Sequence, residues 1–339
     1  MTYQADPDRY AGRMGYRRCG TSGLLLPEIS LGFWHNFGHG DDQAEARAMM
    51  RRAFDCGITH FDLANNYGPP PGSAEENVGR ILGEDFSGHR EELIISTKAG
   101  HTMWPGPYGE WGSRKHLLSS LDASLRRMRI AYVDIFYSHR PDPHTPLEET
   151  LGALATAVTS GRALYVGLSK YPLEMLKEAV TLLDGMGVRT LVYQPPYSIL
   201  NRWPETSGIL EWLEAEGIGS VSFSPLAQGM LTPKYAGGIP ADSRAGRPEG
   251  FLRPDQVVEQ QQRTAALAEL AAERGQLLHH MAIQWVIHQR GVTSTIIGTR
   301  NVAQLDDNLR ALTGPAFTAE ELARIDALAP GVRRAEAEG

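Results

Sequence analysis

Short apolar runs alternate with helix-like stretches eight times along this chain, and that alternation restricts the fold more than any other feature. The runs fall at 29–32, 60–63, 93–98, 133–138, 163–169, 190–194, 219–224 and 295–298. They are mostly apolar, as strands covered on both faces are. The stretches between them carry helix-start signals. Ser73-Ala74-Glu75-Glu76 predicts a capping box for the second helix. Thr145-Pro146-Leu147-Glu148 predicts another, with proline at the first helical position. Ser113 is expected to cap the third helix and Ser207 the sixth. Leu117, Leu121, Leu125 and Met128 recur at helical spacing and read as a core stripe. Later helices are expected near 262–274 and 279–289. Eight strand–helix units in one run make an α/β fold, a (β/α)8 TIM barrel. The competing doubly wound sheet usually carries a GxGxxG turn after its first strand, and GFWHNFG at 32–38 lacks that spacing.

A chain of 339 residues can hold one large α/β domain or two small ones. The unbroken alternation assigns all of 1–339 to one domain, with a core over about 16–328. The segment 16–27, with a turn at Thr21-Ser22-Gly23, is expected to close the bottom of the barrel. The tail after Leu328, ending RRAEAEG, reads as frayed and solvated. Two insertions interrupt the spacing, 101–114 after the third strand and about 228–260 after the seventh. Loops this long are usually functional or disordered. Both follow strand ends, so they are expected to wall a pocket and cover a ligand.

Barrel sites lie at the C-terminal ends of the strands. Asp62, Tyr67, Lys98 and His139 fall there, in HFDLANNYG (60–68), LIISTK (93–98) and VDIFYSH (133–139). Together they make a proton-donating site. A tyrosine holds its proton until a pH of about 10. A nearby lysine cation favours the phenolate, which would lower that value and ease proton transfer at neutral pH. Asp62 would hold and polarise the lysine, and His139 would orient a substrate carbonyl. Tyr67 alone fits a loop aromatic and Lys98 alone an exposed strand end. Four suitable residues at three successive strand ends fit a site better.

The net charge of −7 argues against a nucleic-acid partner. An anionic cofactor then needs local basic residues and helix N-termini. Cys19 and Cys56 are too few for a disulfide framework and read as small buried thiols. His35, His39, His60 and His101 lack a ligand spacing, so no metal is expected. No apolar run approaches the roughly 20 residues that span a membrane, so no membrane partner is expected. The start MTYQADPDRY lacks the pattern of a signal peptide, and a cytoplasmic protein is expected.

Longer segments carry a resemblance. GITHFDLANNYGPPPGSAEENVGR (57–80), LIISTKAG (93–100), YVDIFYSHR (132–140), VSFSPLAQGML (221–231) and IIGTRNVAQLDDN (296–308) are similar to the aldo-keto reductases. These are NADPH-dependent carbonyl reductases with a (β/α)8 fold, and the similarity runs over about 16–328. Within the superfamily the chain most resembles the bacterial L-glyceraldehyde 3-phosphate reductase group, relatives of the voltage-gated potassium channel β subunits.

The resemblance implies the four roles given above for Asp62, Tyr67, Lys98 and His139, and NADPH/NADP+ as cofactor. It implies that Ser169 and Gln194 bind the nicotinamide amide. No residue of 195–203 matches the family's stacking aromatic securely. Phe223, Ser224, Pro225, Leu226 and Gln228 would form the pyrophosphate turn. Lys234 and Arg244 would lie in the covering loop, and Trp34 and Asp62 against the cofactor. Gly298, Arg300, Gln304, Asp307 and Asn308 would form the adenosine phosphate site. There Gly298 admits the backbone, a helix beginning near Asn301 offers its N-terminus, and Arg300 offers a guanidinium fork. Lys170 stands at a position that varies in the family. Trp34, Trp104 and Tyr108 would wall a small substrate pocket with Tyr67 and His139. Arg140 would either meet a substrate phosphate or pair with Asp142.

The function implied is reduction of small aldehydes, glyceraldehyde 3-phosphate or methylglyoxal, by a homo-oligomer. The alternative is a cofactor-loaded protein that regulates a partner, as the channel subunits do. Those subunits often carry asparagine at the position of His139, and no plug-like extension precedes the first strand here. Both points favour an enzyme.

Overall fold

The computed structural model describes residues 3–12, 14–235, 237–241, 243–246 and 252–330. The expected frayed tail lies outside the described residues from 331 on, as do 236, 242 and 247–251 of the expected covering loop. The chain enters through an antiparallel hairpin, β1 (Tyr16–Arg18) and β2 (Leu25–Pro27). Eight strands follow: β3 (Ile29–Gly32), β4 (His60–Asp62), β5 (Ile94–Ala99), β6 (Val133–Ser138), β7 (Ala163–Ser169), β8 (Thr190–Gln194), β9 (Gly219–Phe223) and β10 (Ser294–Ile297). They pair in parallel in the order β10-β3-β4-β5-β6-β7-β8-β9 and close into a barrel. All eight expected strands are present, with bounds shifted by one residue at β4, β5, β9 and β10.

The helices are α1 (Gln43–Asp55), α2 (Ser73–Asp85), α3 (Arg114–Met128), α4 (Leu147–Thr159), α5 (Leu173–Gly185), α6 (Trp203–Thr206), α7 (Ile209–Glu216), α8 (Pro254–Glu273), α9 (Leu278–His288), α10 (Val302–Leu309) and α11 (Ala319–Leu328). Among the described residues no helix is long and apolar enough to cross a membrane. Ser113 caps α3 as expected, accepting from His116 N at 3.2 Å. The stripe Leu117, Leu121, Leu125 and Met128 is buried.

Three other caps differ from expectation. Gly72, at φ 93°, precedes α2, so Ser73 and Glu76 lie inside the helix and Ser73 Oγ has no partner. Helix α4 begins at Leu147, with Pro146 as the cap. Thr145 instead bonds to Asp142, which also accepts from Gly112 N and His144 N. Ser207 ends the four-residue α6, donating to Trp203 O at 2.7 Å, and Gly208 precedes α7. None of the three helix starts carries a side-chain cap hydrogen bond.

Strand side chains alternate across the sheet, so every second one points into the barrel. The inward residues stack in layers. One apolar cluster joins Ile94, Ile135, Val192, Val221 and Ile296 to Cys19 and Leu26 of the hairpin region. The hairpin thus closes the bottom, as expected. Gly219 makes room for it, since a Cβ there would stand 2.2 Å from Cys19 Sγ. Among these residues runs a polar ladder: Ser294 Oγ to Ser30 Oγ at 2.6 Å, Ser30 to His60 Nδ1 at 2.8 Å, and His60 Nε2 to Ser96 Oγ at 3.0 Å. At Gly167 the Tyr137 ring fills the space a Cβ would need. The next inward positions are Asp62, Lys98, His139, Ser169, Gln194 and Phe223.

Candidate active site

Period-two alternation brings Asp62 and Lys98 together above His60 and Ser96. Register does the rest, pairing Asp62 with Ser96, Lys98 with Tyr137, and Ser169 with Gln194. Lys98 is fully buried. Its Nζ donates to Asp62 Oδ2 at 2.6 Å and to Leu63 O at 2.7 Å. The other Asp62 oxygen accepts from Ser96 Oγ at 2.7 Å and Gln194 Nε2 at 3.1 Å. The polar ladder therefore ends on the carboxylate that holds the lysine. A buried lysine tends to lose its proton. Burial does lower the Lys98 pKa, and Asp62 opposes that shift.

Tyr67 sits on the loop after β4, which Asn65 N fastens to Lys98 O at 2.9 Å. Lys98 Nζ lies 5.1 Å from the centre of the Tyr67 ring, so the two are coupled at short range. The direction of the Tyr67 shift corrects the expectation from sequence. Burial, and then the Asp62 carboxylate, raise its pKa well above 10. Asp62 matches the lysine charge, so desolvation of the phenolate outweighs it. Tyr67 therefore keeps its proton at neutral pH. His139 follows β6 and is 6% exposed. Its ring stands edge-on to Tyr67 at 5.9 Å and to His101 at 4.4 Å. Burial first, then His101 and the nearby cations, hold its pKa well below 6.5, so it is a neutral imidazole with one N–H to give. The four expected residues converge on one site that can deliver a proton.

Around this mouth lie the residues expected to hold a dinucleotide. Ser169 Oγ donates to Gln194 O at 2.9 Å, so these two form one edge. The turn after β9 holds Ser224, Ala227 and Gln228 at φ 58°, 47° and 59°. Left-handed backbone at three residues other than glycine is strained, and such turns aim backbone N–H groups into an anion-binding concavity. Pro225 is buried in that turn, and Leu226 packs against the core. Gln228 Oε1 and Asn308 Nδ2 are buried without partners. Gly298 faces open space. Asn301 caps α10 by accepting from Gln304 N, while Gln304 Oε1 accepts from Arg300 N. The Arg244 guanidinium lies 5.4 Å from the Trp34 ring and feels the charge of Arg300, so the covering loop reaches the adenosine side. Lys234 lies in a short 3-10 turn at Pro233–Tyr235. Orphaned polar atoms, strained turn and open glycine fit a phosphate-bearing dinucleotide.

Asp307 is placed differently from expectation. It faces α9, where its carboxylate meets His279 Nε2 at 2.7 Å and His280 Nε2 at 3.2 Å. Among the described residues these three form a group whose ligand atoms, all within 4.8 Å of one another, could hold a metal ion. Sequence spacing missed it because α9 and α10 come together only in the fold.

Among the substrate residues, the pairing of Arg140 is corrected. Trp104 is 49% exposed and Tyr108 56%. Arg140 is committed elsewhere. It donates to Gly100 O at 3.1 Å, pairs with Glu110, and stacks 3.8 Å from the Trp111 ring centre. Neither a phosphate nor Asp142 is needed to explain it. Reading by sequence gave Lys170 and His101 no site role, yet they meet beside His139 with Nζ 3.3 Å from Nε2. The position of Lys170, one residue past Ser169 at a strand end, was the available signal.

Comparison with known proteins follows the geometry. The aldo/keto reductase family model matches residues 28–330. An L-glyceraldehyde 3-phosphate reductase of Escherichia coli is 54% identical over 330 residues, covering 96% of this chain and 95% of that protein. A probable voltage-gated potassium channel subunit beta of Oryza sativa subsp. japonica is 35% identical over 322 residues, covering 93% and 96%. The solved holo form of an aldo-keto reductase from Bacillus halodurans superposes with a TM-score of 0.77 at 26% identity, covering 95% of this chain and 99% of that one. The chain therefore belongs to the aldo/keto reductase family and is an oxidoreductase of that family.

Proposed function

We propose that the protein reduces small aldehydes, of the glyceraldehyde 3-phosphate or methylglyoxal type, with NADPH as reductant and Tyr67 as proton donor. The observation that carries this reading is the buried Lys98–Asp62 pair, 2.6 Å apart, set beneath a protonated tyrosine. A bound nicotinamide supplies the hydride. Ser169, Gln194, the 224–228 turn, Arg244, Gly298, Arg300, Gln304 and Asn308 would hold the dinucleotide.

The chain's own residues manage the proton. Tyr67 enters with its hydroxyl proton in place and passes it to the carbonyl oxygen as negative charge develops there. The phenolate left behind lies within reach of the Lys98 cation, which favours that charge. Asp62 keeps Lys98 protonated despite burial. Neutral His139 orients the carbonyl through its N–H and does not compete as an acid. General acid catalysis of this kind contributes roughly 10²–10⁴-fold.

The similarity to a reductase named for a phosphorylated three-carbon aldehyde supports the substrate class. A regulatory role, suggested by the name of the channel-subunit relative, does not require a charged lysine buried under a tyrosine. The test is oxidation of NADPH, with NADH beside it, against small aldehydes, bulky ketones and steroids. Small aldehydes with NADPH should give the highest kcat/KM. No turnover of any small aldehyde with either nucleotide would refute the reading.

A further inference from the structure

Three cations surround His139, and they differ in one respect. Lys98 is matched by Asp62 and Arg140 by Glu110. Lys170 has no carboxylate partner among the described residues. Its Nζ contacts His101 Nε2 at 3.3 Å and stands 5.9 Å from the Phe223 ring centre. Part of its side chain stays exposed. Its backbone is left-handed, φ 64°, which is uncommon for a residue with a long side chain.

We propose that Lys170, steadied by His101, receives the anionic end of the substrate and selects aldehydes that carry a phosphate. The inference rests on the aldehyde-reductase reading of the same site. The line of contacts supports it. Tyr67 meets His139, His139 meets His101 at 4.4 Å, and His101 meets Lys170. In a phosphorylated three-carbon aldehyde the phosphorus lies four bonds from the carbonyl carbon. A carbonyl held by Tyr67 and His139 would thus point its phosphate along this line. Electrostatics agree. Desolvation, then Arg140 and Lys98, push the Lys170 pKa down to about 8, so an arriving anion relieves a crowd of like charges. His101, pushed down to about 3 by burial and the same cations, stays neutral and accepts from the ammonium. The ammonium keeps its other donors for the ligand.

The test compares Lys170→Met and Lys170→Arg with the wild type. The ratio of kcat/KM for glyceraldehyde 3-phosphate over that for glyceraldehyde should fall roughly ten- to hundredfold in Lys170→Met, mainly through KM, as expected for loss of a charged hydrogen bond. Lys170→Arg should restore most of it. An unchanged ratio overturns the proposal. So does a loss of NADPH affinity in place of the ratio, which would assign Lys170 to the cofactor. A second arm needs no turnover: calorimetric binding of glycerol 3-phosphate and of glycerol to the enzyme with NADP+. Wild type should bind the phosphate ester more tightly than glycerol, and Lys170→Met should lose the difference. If the wild type reduces neither aldehyde, the reductase reading fails by itself, and this binding arm still decides the role of Lys170. Absent or equal preference in wild type and variant overturns it.

Discussion

At the scale of single residues, the site turns on the buried ion pair of Lys98 with Asp62. Lys98→Met should lower kcat by roughly 10²–10⁴-fold, because the phenolate loses its cation while Asp62 is left buried and unpaired. A variant that keeps most of its kcat would show that Lys98 is structural. The raised pKa of Tyr67 and the depressed pKa of His139 fix a pH prediction. Neither group changes charge near neutrality, so kcat/KM for an uncharged aldehyde should stay flat from about pH 7 to 9. An alkaline limb near neutrality would show that Tyr67 or Lys98 loses its proton early. Arg140→Ala should impair phosphorylated and unphosphorylated aldehydes alike, since its partners are Gly100 O, Glu110 and Trp111. A loss confined to the phosphorylated aldehyde would return Arg140 to the ligand. The four tetrad residues were legible in sequence because strand ends and residue chemistry suffice to place them. The sign of the Tyr67 shift was not, because it depends on how far burial outweighs a lysine already matched by Asp62. The partner of Arg140 was hidden too, lying thirty residues earlier in a loop without periodicity.

At the scale of elements, apolar runs gave the strands to within a residue, because buried parallel strands have few sequence alternatives. Caps were less legible. Ser73, Thr145 and Ser207 all have capping chemistry, yet Gly72, Pro146 and Gly208 take the positions. A left-handed glycine can set the turn into a helix without a side-chain cap, and a neighbouring carboxylate can engage a threonine elsewhere, as Asp142 does Thr145. The two elements that matter for cofactor choice are the strained turn after β9 and the start of α10. There Arg300 is exposed, with its backbone N–H anchored by Gln304. Arg300→Ala should weaken NADPH binding by about 1.5–3 kcal/mol and NADH binding far less. Equal losses for both would show that Arg300 does not read the 2′-phosphate.

At the scale of the whole molecule, the barrel carries a polar ladder through its centre, and His60 is its pivot. Burial pushes the His60 pKa down to about 4. In the unfolded chain the imidazole takes up a proton at its usual value of 6.5. The stability tied to neutral His60 is therefore fully present above 6.5 and is lost as pH falls from 6.5 towards about 4. The loss should reach roughly 3 kcal/mol over that window. Denaturant unfolding of wild type and His60→Gln at pH 7, 5.5 and 4.5 checks it. The wild type should lose more stability on acidification than the variant, and parallel curves would contradict the assignment. The barrel itself was legible in the eightfold alternation. The ladder was not, because Ser30, His60, Ser96 and Ser294 read as isolated polar residues until closure brings β10 against β3.

The central claim is that Tyr67 donates the proton, and Tyr67→Phe tests it most directly. The substitution keeps the ring against Lys98 and His139 and removes only the hydroxyl. NADPH titration and steady-state reduction of a small aldehyde should be measured on the same preparation. The account predicts NADPH binding close to that of the wild type with aldehyde reduction lowered by at least roughly 10²-fold. A Tyr67→Phe enzyme that binds NADPH and retains most of its kcat would contradict it.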